Sequence, residues 1–343
     1  MMVKVEVKEL HKKNQFQQVA QLLGLLVVLF FVSFLGLRLG SYDMDLAEII
    51  KGALGKATDQ KVNLIIQNMR LPRIGAAVIG GAGLGVTGCI LQSVLRNPMA
   101  SGSTVGISAG ASFGAALFVL TPFVSTVTIT LSAFLCSMVV ALLILGLSRT
   151  GKMTSSSIIL AGIAISSMLQ GATTLLQFFA NEVDLSVFIF WTFGDLGKVG
   201  YQELLLMAVA VFVPFLYFLL NRWKYNALSL GDETALSLGV DVRRLSVSSI
   251  LLCALTIAVI ISHLGTISFV GLLAPHISRI FSGENHAYLI PGSALVGGIL
   301  LVLGDILSRM LIPPVILPIG AITAFLGAPL FLVLLLKGGK KHA

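Results

Sequence analysis

Residues Gly106-Ile107-Ser108-Ala109-Gly110 carry the G-x-S-x-G spacing that presents a nucleophilic serine on a sharp strand-to-helix turn. The chemistry needs a histidine and an acid beside that serine. His263 and His276 are the histidines an intramembrane version could use. Gly146 and Gly151-Lys152 reproduce the G-x-x-x-x-G-K of a phosphate-cradling loop. Met153 stands where Mg²⁺ coordination needs Ser or Thr, and no strand pattern leads in, so this chain is not expected to bind ATP itself. His263 and His276 lie 13 residues apart with no carboxylate at metal-ligand spacing, which favours structural or pore-lining roles. Asp305 and Arg309 are four apart, so a helix would pair them on one face.

The elements that must position these residues follow from composition. Of 343 residues, 56% are hydrophobic and 11% charged, with a mean hydropathy of +0.98. A soluble domain carries about 25% charged residues, so a soluble fold, a disordered chain and a collagen are all excluded. Apolar runs reach the roughly 20 residues that cross a bilayer as helix. The roughly 10-residue alternating segments of a membrane barrel are missing. The chain therefore reads as an all-α polytopic membrane protein. Cys89, Cys136 and Cys253 fall inside apolar stretches without metal-ligand spacing and read as packing residues.

Ten spans are expected, near 17–38, 74–93, 104–121, 124–147, 156–180, 202–220, 245–262, 266–281, 287–304 and 317–336. Gly265, Gly271 and Pro275 predict a short or interrupted helix in the eighth. An even count puts both termini on one side. Placed in the cytoplasm, with a polar lead-in over 1–16, the inner segments hold 15 of the 23 basic residues and 6 of the 15 acidic ones. The positive-inside rule favours that orientation. Six of the eight outer basic residues lie between Arg38 and Arg73, an exception that needs a cause.

Ala77, Gly81, Gly85 and Cys89 repeat every four residues and predict one small-residue helix face for close packing. No repeat or low-complexity linker divides the chain, so one domain over 1–343 is expected.

Several segments align with one family. Arg70-Leu71-Pro72-Arg73 precedes a glycine-rich span. Arg96-Asn97-Pro98-Met99-Ala100 and the Gly106–Ala111 segment follow, then Trp191-Thr192-Phe193-Gly194-Asp195. Next come Gly231-Asp232-Glu233-Thr234-Ala235-Leu236-Ser237-Leu238-Gly239-Val240 and Phe269-Val270-Gly271-Leu272-Leu273-Ala274-Pro275-His276. Gly304-Asp305 and Leu317-Pro318-Ile319-Gly320 close the series. In this order they resemble the permease subunits of type II ABC importers for vitamin B12, iron-siderophores and haem. One departure is Ile316, where the family usually has an acidic residue.

The resemblance implies a ten-span subunit that pairs with a second permease copy, two ATPase subunits inside and an extracytoplasmic substrate-binding protein. It implies alternating access in a bacterial or archaeal plasma membrane, with ATP and Mg²⁺ on the partner ATPases and no cofactor on this chain. Arg70, Arg73 and Arg309 match outer arginines that pair with carboxylates of the binding protein, a role the guanidinium fork suits. The coupling region, about 221–244, is implied to dock in the ATPase through Gly231, Asp232, Glu233, Ala235, Leu236, Leu238 and Gly239. Asn97, Met99, Ser155 and Ser156 match a cytoplasmic gate, although small polar residues equally suit helix caps. The pathway is expected to be lined by apolar and small residues, with an iron-siderophore the first cargo and haem or a corrinoid next. An autonomous transporter would instead carry ionisable residues at mid-membrane, and the chain's acids fall mostly in loops and at span ends.

Overall fold

The computed structural model describes residues 2–40, 44–57, 59–119, 121, 125–149 and 155–339. Its elements are helices: α1 (Met2–Arg38), α2 (Leu46–Ala53), α3 (Gln60–Ile65), α4 (Leu71–Val94), α5 (Ile107–Val119), α6 (Thr126–Arg149), α7 (Ser155–Phe179) and α8 (Glu182–Thr192), followed by α9 (Tyr201–Leu220), α10 (Arg222–Leu228), α11 (Asp232–Ser237), α12 (Val242–Leu264), α13 (Val270–Ser282), α14 (His286–Met310) and α15 (Ile319–Gly339). A five-residue π-turn, Ile66–Arg70, joins α3 to α4. Among the described residues there is no strand, and a single antiparallel bridge pairs Ile312 with Val315. The polar lead-in is helical from Met2 and continuous with the first span.

Helices α4 and α14 run antiparallel at the centre. The small-residue face predicted on α4 is the reason they can approach: a Cβ at Gly81 or Gly85 would overlap the carbonyl oxygens of Gly297 and Ser293 on α14. Without water to drive apolar surfaces together, such backbone-close contact supplies the van der Waals attraction that associates helices in lipid. The stripe thus packs within the chain. Most buried hydrophobic residues join one cluster, and Met44, Ile49, Val62 and Ile66 form a smaller one where α2 and α3 fold beside the end of α1.

Among the described residues, seven helical stretches are long and apolar enough to cross a bilayer, one of them running from α3 through the π-turn into α4. Three expected spans fall on shorter elements: α5 and α13 have 13 residues each, and the described apolar part of α15 is Ile319–Leu334. The reason is plain at α13. Helix α12 stops at Leu264, where Gly265 takes φ +76, and the chain turns back through a non-helical 265–269 before Phe269 caps α13 at φ +63. Gly271 then lies against Gly88, part-way along α4. Neighbours flank the stretch: Asp195 N–H donates to Leu264 O at the end of α12 (3.0 Å), Thr266 Oγ1 to Thr192 O (2.6 Å), and Gly320, whose N–H bonds Phe193 O (3.0 Å), lies against Thr266. Non-helical backbone at membrane depth is tolerated only where it is enclosed by protein or lines a cavity.

Candidate functional site

One end of the α4–α14 pair gathers the three predicted docking arginines. Arg73 Nε donates to Asp305 Oδ1 at 2.6 Å, and Arg309 Nη2 pairs with Asp305 Oδ2 at 2.8 Å. The Asp305–Arg309 pairing expected from their spacing is therefore present; Arg73 is its addition from α4. Arg309 also donates to Leu39 O (2.6 Å) and Gly36 O (3.0 Å), and Arg70 Nη1 donates to the carbonyls of Leu37 and Arg38. These carbonyls close the C-terminal end of α1, where the helix leaves acceptors unsatisfied and its dipole favours cations. Arg70 is 7% exposed and Asp305 fully buried. The structure brings the three arginines together, yet turns their guanidinium groups toward their own chain.

The opposite end carries the predicted coupling and gate residues. Helix α11 is bracketed by left-handed glycines, Gly231 (φ +111) and Gly239 (φ +79), which let a short rigid helix stand between sharp turns. Asp232 and Glu233 occupy its first turn, where the dipole favours carboxylates. Ala235 is fully buried and anchors it, while Leu236 (59%) and Leu238 (63%) are exposed. Asp232 Oδ2 accepts from Arg96 Nη2 at 2.6 Å. Asn97 Oδ1 accepts from Met99 N–H at 2.8 Å and fixes the turn after α4. Ser155 and Ser156 open α7, with Ser156 exposed and the Ser155 side chain outside the described residues. Among the described residues no hydrogen bond joins the Asn97–Met99 turn to Ser156.

Between these groups lies a buried polar network. Asn226 Oδ1 accepts from the backbone N–H of His286 at 2.8 Å and lies 2.8 Å from its Nδ1, while His286 Nε2 pairs with Ser93 Oγ at 2.6 Å, the same hydroxyl that lies 2.8 Å from Cys89 O. Arg279 Nη1 donates to Gln92 Oε1 at 2.6 Å. Tyr225, fully buried, pairs its hydroxyl with Ser249 Oγ at 2.7 Å; burial pushes the phenol well above its usual range, so it keeps its proton. His286 escaped the sequence reading, and its signal was local: Asn285 precedes it as the cap of α14.

Along α5, α7 and α8 runs a cavity of about 450 Å³ that includes Ser108, Ser112, Gln170, Thr173 and Thr174. Ten of its twelve lining residues are Ser, Thr or Gln, and none is ionisable. Ser166, Thr173 and Thr174 spend their protons on carbonyls one turn back, at 2.7, 2.8 and 3.0 Å, and keep lone pairs. Ser108 has no histidine or acid among the cavity residues. His263 and His276 each bond through Nδ1 to a carbonyl of their own helix, Val259 and Leu272. Nothing in this geometry activates Ser108. Gly146 lies within α6, and Gly151, Lys152 and Met153 of the phosphate-loop spacing lie outside the described residues.

Comparison with known proteins agrees with this architecture. A protein of Methanocaldococcus jannaschii named as an ABC transporter permease is 41% identical over 92% of this chain and 94% of its own. The hemin transport system permease protein HmuU of Yersinia pestis is 35% identical over 92% and 95%, and the Fe(3+)-citrate import system permease protein YfmE of Bacillus subtilis 36% over 96% and 100%. A solved structure presented as an inward-facing conformation of a metal-chelate type ABC transporter superposes with a TM-score of 0.84 at 31% identity, covering 93% of this chain and 99% of that one. The model of the FecCD transport family matches residues 25–337, and the chain belongs to that family.

Proposed function

We propose that the chain is the membrane permease of an ATP-driven importer, crossing the bilayer ten times with both termini in the cytoplasm and working as one domain paired with a second copy. The observation that carries this reading is α11, a capped helix anchored by Ala235 that offers Leu236 and Leu238 to a partner at one end of the bundle. Such an element transmits nucleotide-driven closure as a rigid push. Two ATPase subunits hold ATP and Mg²⁺ there, and the chain needs no cofactor of its own. An extracytoplasmic binding protein docks at the Arg70, Arg73 and Arg309 end, and Asn97, Met99, Ser155 and Ser156 close the cytoplasmic side in alternating access.

The cargo is a metal chelate, with an iron-siderophore first and haem or a corrinoid next. The relatives support this range: one is a hemin permease, one an Fe(3+)-citrate permease, and a third, 32% identical, the vitamin B12 import permease BtuC of Vibrio vulnificus. The uncharged hydroxyl and amide lining suits a metal whose charge is met by its own chelator.

The test is uptake into proteoliposomes of ferric siderophore, haemin, ferric citrate and cyanocobalamin. Uptake of one of them is expected only with ATP, the ATPase subunits and the binding protein together. Uptake that persists without the ATPase subunits would instead establish an autonomous transporter.

A further inference from the structure

Helix α4 ends in a cap that asks for glycine and has arginine. Asn97 N–H bonds Gln92 O at 3.1 Å and Arg96 N–H bonds Ser93 O at 3.3 Å, the paired closure of a Schellman motif. The residue after the cap then takes the left-handed region, and Arg96 sits there at φ +43. Glycine enters that region freely, whereas a residue with a Cβ is strained in it. The strain has no return in stability. Arg96 reaches Asp232 through an ion pair whose side chains are 40% and 46% exposed, and exposed pairs contribute little. A local conflict of this kind points to function rather than to stability.

Its position says which function. The last turn of α4 is already fastened by buried bonds: Gln92 to Arg279 of α13, and Ser93 through His286 of α14 to Asn226 of α10. These bonds are a fixed pivot between α4 and the base of the coupling region. Arg96 to Asp232 is a second attachment, on the exposed side and at the tip of α11. A pivot and a tip contact make a lever. The lever's output is the turn that Arg96 begins, and the Asn97 Oδ1 to Met99 N–H bond stiffens that turn so that it moves as a unit.

We propose that Arg96 is the positioning residue that carries displacement of α11 to the Asn97–Met99 turn, and that its ion pair with Asp232 links ATPase closure to the gate. This rests on the reading of the chain as an importer permease and of that turn as its gate.

The experiment uses the full complex with its ATPase subunits and binding protein. Met99, 41% exposed, is replaced as Met99→Cys and labelled with a charged, membrane-impermeant maleimide, with and without ATP and vanadate. Cys89 and Cys253 are fully buried; Cys136, partly exposed, is replaced by alanine. Trapping nucleotide is expected to change the labelling rate of the introduced thiol at least fivefold. Arg96→Gln and Arg96→Gly should each reduce that change to less than twofold while basal ATP hydrolysis persists. Arg96→Gly relieves the left-handed strain, so its melting temperature should equal or exceed wild type, which separates lost transmission from lost folding. The exchange Arg96→Asp with Asp232→Arg should restore the change in part. A full change retained in Arg96→Gln and Arg96→Gly would overturn the lever while leaving the importer reading intact. No change in the complex carrying Met99→Cys alone would overturn the gate reading and the lever with it.

Discussion

Arg73 and Asp305 stand 232 residues apart in the chain and meet at 2.6 Å across the α4–α14 contact, with Arg309 on the other carboxylate oxygen. The carboxylate is fully buried, and the Arg73 and Arg309 side chains are 13% and 9% exposed. Replacing Asp305 by alanine leaves two guanidinium groups in place without their shared anion. Breaking a buried pair from one side costs about 3–5 kcal/mol. A clear fall in melting temperature in detergent is expected, and an unchanged melt would show that the pair contributes nothing net.

The same pairing sets a condition on docking. A partner carboxylate that takes hold of Arg73 or Arg309 must displace Asp305, and one that takes Arg70 must displace carbonyls of α1. Arg70→Gln with Arg73→Gln is expected to weaken binding-protein affinity at least tenfold, or about 1.4 kcal/mol, and to flatten its salt dependence. Equal affinity in a variant of wild-type melting temperature would remove these arginines from the interface.

Leu236 and Ala235 are neighbours with opposite surroundings, and they separate partner contact from folding. Leu236→Lys, on an exposed side chain, should leave the melt unchanged and abolish co-purification of the ATPase subunits. Ala235→Leu forces extra methyl groups into a filled site, which costs about 1–3 kcal/mol, so its effect should appear in stability first. Normal ATPase co-purification with Leu236→Lys would exclude α11 as the docking element.

Gly85→Val tests the central contact. The new side chain meets backbone on α14, which cannot rotate away as a side chain can. Loss of monodisperse protein on size-exclusion chromatography is expected. A folded, active Gly85→Val would show that α4 and α14 can separate without consequence.

Much of this architecture was legible in the chain. Spans expected at 156–180, 202–220 and 74–93 are helices at Ser155–Phe179, Tyr201–Leu220 and Leu71–Val94, because an uninterrupted apolar run has no other low-energy form in lipid. What escaped was set by distant contact. Hydropathy does not distinguish a short non-helical strip such as 265–269 from helix, since the apolar runs continue on either side of it. The inward turn of Arg70, Arg73 and Arg309 depends on α1 carbonyls, and for Arg73 on an acid 232 residues away, which spacing does not reveal. The cavity escaped for a simpler reason. A lone Ser or Thr in an apolar helix reads as packing until its neighbours on other helices are known.

The non-helical strip between α12 and α13 bears on biogenesis. A 13-residue α13 is about 20 Å long by the helical rise and falls short of the roughly 30 Å hydrocarbon layer. The insertion machinery, reading segments as they emerge, has little reason to release it into lipid alone. The strip's neighbours are the end of α8, where Thr266 Oγ1 bonds Thr192 O, and the start of α15, where Gly320 lies directly against Thr266 O, so the last of them is synthesised after α14. The strip is therefore enclosed on that side only once α15 emerges, and the C-terminal helix becomes the closing piece of the bundle's assembly.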